Sequence, residues 1–398
     1  MTNPTDEDFL AEAETVVAAF APRRTAGGPA VWGEGDDRVS VVAERSEGEA
    51  EEIAALRRYR ALLAEHGLAW IEGPAEFGGR GLPPRYADLM RNVEARYDLP
   101  DDGYLRFSMA TLCPTLLEHG TGAQRAAYLR GLRSAEIIAC QLYSEPDAGS
   151  DLAGLSTRAV RDGADWVLDG QKVWSSGAHL SDIGLCIART DPSAPKHRGL
   201  TTFLVDMSAP GVEVRPIRQL TGGASFDEVF LTGVRVPDEN RVGEVNGGWP
   251  VVITSLLNER SAIGREVGVD EALVDRLVDL ARHVQDPVDA RTRDRLADVV
   301  VRSWAARETT AGFLDGGGPP GPELALAKLL TTDILRSISD VAADVLAMSH
   351  ACDTGEWGTH AWSELTLGLP GLRVGGGTDE ILKNTVGERV LHLPKDTR

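Results

Sequence analysis

The chain has 398 residues, enough for two or three domain-sized units with a large core. Its 41 basic and 61 acidic residues give a formal net charge of −20, which argues against nucleic-acid binding and against docking on an acidic membrane. Cys113, Cys140, Cys186 and Cys352 form neither a CxxC nor a histidine-spaced pair. Structural zinc and a disulfide framework are therefore disfavoured, and free buried thiols in a reducing cytoplasm are expected. The opening MTNPTDEDFL lacks the basic and apolar regions of a signal peptide, and no apolar run is long enough to span a bilayer.

The first third reads as mainly helical. Phe9, Ala13, Val16, Val17 and Phe20 give a short amphipathic helix over 1–20. Residues 21–46 are rich in Gly, Pro and charge and read as a loop or extended arm, a length of chain that needs a reason such as packing along a subunit surface. Ile53, Leu56, Tyr59 and Leu63 predict a helix over 49–66 that stops at Gly67. A glycine turn at 76–81 precedes predicted helices over 84–95, 103–118 and 122–131, the last capped by Thr121. His119 reads as a helix-end cation.

The period then changes to alternation. Strands are predicted over 138–143, 157–161, 166–171, 183–189, 201–205, 212–216 and 227–236, with turns at Arg161-Asp162-Gly163, Gly170 and Ala209-Pro210-Gly211. The helical period returns over 250–268, 270–284, 289–314 and 322–349, with a break at 316–322 and a final helix over 378–391. Trp304, Trp357 and Trp362 read as packing anchors, the last two in a loop or short turn. The fold class is therefore α+β and multidomain. An N-terminal helical domain (1–134, with the arm at 21–46) precedes a central antiparallel β-barrel or sandwich (135–245) and a C-terminal helical bundle (246–398).

Two stretches carry chemistry. Over 141–177, one extended run ends in Ser144-Glu145-Pro146 and another in Trp174-Ser175-Ser176, with the small-residue loop Asp147-Ala148-Gly149-Ser150-Asp151 between them. Hydroxyls, an indole and bare backbone are what a flat, polar-edged ring cofactor with phosphates needs, although a hairpin with ordinary turn residues reads the same way. In the helix over 250–268, Glu259 falls on the apolar stripe of Val252, Leu256, Ile263 and Val267. A carboxylate there is paired, opened to a groove, or catalytic, and burial would raise its pKa toward that of a useful base. His179, His197, His283 and His350 show no metal-ligand spacing.

The chain resembles the acyl-CoA dehydrogenase family over nearly its whole length from about residue 49. The resemblance rests on Leu142-Tyr143-Ser144-Glu145-Pro146 through Gly149-Ser150, and on Gly170-Gln171-Lys172-Val173-Trp174-Ser175-Ser176-Gly177. Supporting matches are Glu76 to Gly81, Val234-Arg235-Val236-Pro237, Asn258-Glu259-Arg260 and Gly376-Gly377-Thr378-Asp379-Glu380-Ile381.

The resemblance implies a helical, β, helical architecture and FAD-dependent α,β-dehydrogenation of an acyl-CoA thioester. Tyr143, Ser144, Trp174 and Ser176 would meet the flavin ring. Gly149 and Ser150 would lie near its pyrophosphate or the substrate, and Thr378 and Glu380 near the adenosine half. Many members carry their catalytic glutamate at the position of Gly376. A second branch carries it where this chain has Glu259, followed by Arg260 toward the substrate; the Gly376 N–H would then help polarise the thioester carbonyl. The implied partners are an electron-transfer flavoprotein and further copies of the chain, as a homodimer or homotetramer. The same fold also serves a carrier-protein thioester dehydrogenase, a flavin monooxygenase, or a non-catalytic partner subunit of a hetero-oligomer.

Overall fold

The computed structural model describes residues 3–24, 32–35, 37–40, 48–266, 271–315 and 321–395. It divides into two compact units. The first holds 1–27, 44–218 and 224–255, and the second holds 28–43, 219–223 and 256–398.

The helices of the first unit are α1 (Asp6–Phe20), α2 (Glu49–Glu65), α3 (Pro84–Glu94), α4 (Cys113–His119) and α5 (Gly122–Arg133). Phe9, Val17, Tyr59, Leu63, Tyr86 and Met90 form the buried seam between α1, α2 and α3. The stop expected at Gly67 is present, with a left-handed φ of +67°. Thr121 and Gln124 form a reciprocal capping box at the start of α5, and the Gln124 amide also donates to the carbonyls of Glu239 and Arg241. The helix expected over 103–118 is instead a 3₁₀ turn (Gly103–Leu105), a π-helical turn (Phe107–Leu112) and α4. Pro114 supplies no N–H to a continuous ladder, and the chain changes hydrogen-bond register just before it.

The strands are β1 (Ala139–Leu142), β2 (Arg158–Asp162), β3 (Asp165–Ser176), β4 (Ile183–Arg189), β5 (Leu200–Asp206), β6 (Val212–Ile217), β7 (Phe226–Pro237) and β8 (Arg241–Val242). They pair in the order β6-β7-β3-β2-β4-β5-β8, with β1 parallel to β4. The pairing is otherwise antiparallel apart from a single parallel contact of β2 with β4. Leu168, Cys186, Phe203, Val205, Leu231 and Val234 form the core behind the sheet. Gly170 is not a turn: β3 runs through it. A Cβ there would lie 2.2 Å from the Thr157 hydroxyl, so glycine serves a close approach between chain segments.

Helix α6 (Gly248–Glu266) follows, and the boundary between the units falls within it. The second unit continues with α7 (Glu271–Val284), α8 (Ala290–Asp315), α9 (Leu324–Leu346), α10 (Trp362–Val374) and α11 (Asp379–Thr385). The expected break at 316–322 lies mostly outside the described residues. No helix was expected over 362–374; α10 forms there with Pro370 inside it and with Trp362 and Leu365 fully buried. The final helix gives way to a π-helical turn over Val386–Val390. Trp362 anchors the core as expected, whereas Trp304, also expected as an anchor, is 59% exposed.

The described part of the arm belongs to this second unit. Val39 is buried with Leu277, Ile338 and Trp362. Trp32 stacks on His283 at 4.5 Å and meets Trp357 edge-on at 5.0 Å. Arg276 donates to the carbonyls of Asp37 and Arg38, and the Trp357 indole N–H donates to Gly35 O at 2.9 Å. The described residues of the arm thus pack on the chain's own C-terminal helices, where a subunit surface was expected.

Candidate active site

The residues singled out over 141–177 lie in the first unit. Tyr143 and Ser144 extend β1, and the Val173 N–H donates to Ser144 O at 2.9 Å, which ties them to β3. Beneath this tie lies a buried ion pair. Lys172 Nζ, fully buried, donates to Glu145 Oε1 at 2.9 Å and to the carbonyls of Tyr143 and Ile187. The Glu145 carboxylate also accepts from the Ser156 N–H, the Ser156 hydroxyl and the Thr157 N–H. Burial alone would raise its pKa, but Lys172, Thr157 and Ser156 outweigh burial and hold it at about 2. Neither residue carries a role in the sequence reading; the available signal was a lysine at an alternating position of β3 shared with the buried Trp166 and Leu168.

Above the pair, β3 leaves its register with β7 between Lys172 and Ser175. Trp174 sits in this irregularity with φ +61°, a left-handed conformation costly for a bulky residue. Its indole is 58% exposed and meets Phe226 edge-on at 5.9 Å. Ser144 is half-buried and Ser176 exposed, while the Ser175 hydroxyl is buried without a partner among the described residues. The Asp147–Asp151 loop closes through paired Glu145–Ala148 backbone bonds, and Gly149 and Ser150 face open space and solvent. A bulge that turns a large aromatic face outward beside hydroxyls suits a planar ligand with a polar edge.

A second network holds the end of β3. His179 Nδ1 lies 2.7 Å from Asp227 Oδ2, and Nε2 lies 3.0 Å from Glu49 Oε2. The Tyr104 hydroxyl donates to the other Glu49 oxygen at 2.9 Å. Both ring nitrogens of His179 are thus held by carboxyl groups. The ring thereby fixes the turn that follows Ser176 and Gly177. No sequence signal joins these residues, since Glu49 and His179 are 130 positions apart.

The remaining candidates lie in the second unit. Glu259 is half-buried on α6. Of its predicted stripe, Val252 is buried and Leu256 half-buried; the side chains of Arg260, Ile263 and Val267 lie outside the described residues. Gly376 and Gly377 have φ of +66° and +103° and lead into α11, where the Thr378 hydroxyl caps the Ile381 N–H at 3.2 Å. Arg373 donates to Asp379 at 2.7 Å across this loop, and Glu380 is exposed. A cleft of about 480 Å³ beside it is lined by Arg336, Asp340, Arg373, Thr378 and Glu380 among others.

Among the described residues no cluster suited to a metal ion occurs, and no helix is long and apolar enough to cross a membrane. Cys113, Cys140 and Cys186 are buried free thiols as expected, whereas Cys352 is exposed.

Residues 36–136, 140–234 and 246–391 match the families described as acyl-CoA dehydrogenase N-terminal, middle and C-terminal domains. Acyl-CoA dehydrogenase FadE34 of Mycobacterium tuberculosis is 38% identical over 86% of the chain, which spans 47% of that protein's length. Acyl-CoA dehydrogenase IpdE1 of the same organism is 36% identical over 88% of this chain and 91% of its own. Among solved structures, the Tcur3481-Tcur3483 steroid ACAD superposes with a TM-score of 0.73 at 27% identity, covering 99% of each chain. With all three domains matched in order and relatives matched along most of its length, the chain belongs to the acyl-CoA dehydrogenase family, oxidoreductases acting on CH–CH bonds.

Proposed function

We propose that the protein is an FAD-dependent enzyme that desaturates an acyl-CoA thioester between its α and β carbons. The observation that carries this reading is the departure of β3 from its register at Trp174, with that indole turned outward next to the strand's tie to Ser144. Bound there, FAD would supply a hydride acceptor at N5 and take up two electrons with the β hydrogen. Tyr143 and Ser144 hold the ring edge, Trp174 covers its face, and the Ser176 hydroxyl donates toward it. Gly149 and Ser150 offer open backbone to the pyrophosphate or the thioester, and Thr378 and Glu380 serve the adenosine half.

Glu259, half-buried on α6, takes the α proton. The Gly376 N–H donates to the thioester oxygen as negative charge develops there, and Arg260 orients the substrate. An electron-transfer flavoprotein is the proposed final acceptor. The assembly is proposed to be a homodimer or homotetramer, and the free thiols favour the cytoplasm. The likeness to the Tcur3481-Tcur3483 steroid ACAD puts steroid-derived thioesters among the substrates to try.

Anaerobic mixing of the yellow protein with a panel of acyl-CoAs tests the reading, since a substrate bleaches the flavin. Glu259→Gln is expected to slow bleaching by ~10³-fold or more with flavin content unchanged; a loss below about tenfold would remove Glu259 from the role of base.

A second reading, one subunit of an unlike pair, is favoured by the chain's match to about half the length of FadE34. Native mass spectrometry of the protein purified alone separates the two: a flavin-loaded, active homo-oligomer excludes the unlike pair.

A further inference from the structure

The loop carrying Gly376 is built from three glycines, Gly375 to Gly377, which have no side chains with which to fix their own peptides. Glycine also loses more conformational freedom on ordering than any other residue. The restraint comes from outside the loop. Lys328, half-buried on α9, donates through Nζ to the carbonyl of Gly375 and, at 2.6 Å, to that of Gly377. The Arg373–Asp379 pair at 2.7 Å brackets the same segment.

Gly375 C=O and Gly376 N–H are the two ends of a single peptide unit. That unit is planar and trans, so an ammonium on its oxygen leaves the N–H pointing to the opposite side. A cation at the carbonyl draws electron density toward oxygen through the amide resonance, which makes the N–H a stronger donor; hydrogen bonds at opposite ends of one peptide reinforce each other. Gly376 is half-buried, and its N–H donates to no group among the described residues.

We propose that Lys328 is a positioning residue for the desaturation: its ammonium fixes and polarises the Gly375–Gly376 peptide, so that the Gly376 N–H is a strengthened donor to the thioester oxygen as the α proton leaves. This rests on the reading that Gly376 faces the thioester. No bond is made or broken at Lys328, and its proton stays on the ammonium throughout. A lysine that merely tied α9 to the loop would hold the backbone in place without changing the donor strength of the N–H.

Acetoacetyl-CoA separates the two, because it has an acidic α proton and its enolate absorbs apart from its keto form. The probe is titrated with pH on the flavin-loaded parent protein and on Lys328→Met, Lys328→Gln and Lys328→Arg. The Met and Gln variants should require about one pH unit more to ionise the bound probe, a roughly tenfold weaker ionisation. Turnover should fall by a similar factor with KM little changed, and Arg should restore both to within about twofold. Should Lys328→Met fail to fold, Lys328→Gln, which keeps a neutral donor, carries the comparison. If Met and Gln ionise the probe as the parent does and only the melting temperature falls, Lys328 is a tie and the inference is wrong while the thioester reading stands. If the parent itself never ionises the probe, the thioester reading fails and takes this inference with it.

Discussion

Lys172 and Lys328 both donate to main-chain carbonyls, but in unlike surroundings. Lys172 is fully buried within β3, and its charge is neutralised there by Glu145 while it also binds the Tyr143 and Ile187 carbonyls. Lys328 is half-buried on a helix and reaches the carbonyls of Gly375 and Gly377. In the β region the segments to be joined are regular, and the ion pair fixes how Ser144 lies against β3. In the helical region the segment has no side chains at all, and the lysine takes over the restraint they would otherwise give. A buried charge needs its counter-charge to be tolerated, so the first arrangement is all-or-none, whereas the second can be weakened by degrees.

The strongest challenge to this contrast is Lys172→Met. It leaves Glu145 charged in the core and should cost about 3–5 kcal/mol of stability, with loss of flavin, as measured by denaturant unfolding and absorbance. If Lys172→Met cost no more than Lys328→Met, the distinction would collapse.

A second measurement sharpens it through pH. The folded pKa of Glu145, about 2, lies below its ordinary value of 4.5. Its contribution, on the order of 3 kcal/mol, is therefore fully present above pH 4.5 and lost as the pH falls toward 2. The stability gap between the parent and Glu145→Gln should accordingly narrow between these limits, and a constant gap would show that the carboxylate gains nothing from its charge. The smallest effect is expected for Gly376→Ala. A left-handed φ costs a residue with a Cβ about 1 kcal/mol, so a fall in melting temperature of a few degrees is expected with the fold retained.

Features of the fold that depend on neighbours in sequence were legible beforehand. Thr121 announced α5, Gly67 the end of α2, and alternation the strands, because caps and periodicity are local. Helix α10 was hidden because Pro370 and its glycines are breakers by local rules, and only the burial of Trp362 and Leu365 overrides them. Gly170 reads as a turn in sequence, and only the nearness of Thr157 shows otherwise. The candidate residues of each unit divide in the same way. Ser144, Trp174 and Ser176 sit in recognisable strings, whereas the bonds of His179 to Glu49 and of Lys328 to the glycine loop join residues 130 and 49 positions apart.

The arm has a further consequence, for how the protein is made. Val39 and Trp32 leave the ribosome early, yet the bulk of the core they complete is encoded more than 200 residues later; Arg276 and Asp37 are 239 positions apart. At ordinary rates of synthesis these apolar side chains must wait about 10–50 s for their partners. The C-terminal helices therefore cannot finish their core as an autonomous late domain. A fragment beginning at α6 would lack Val39 and Trp32, and supplying 28–43 as a separate peptide should restore what the cut removed.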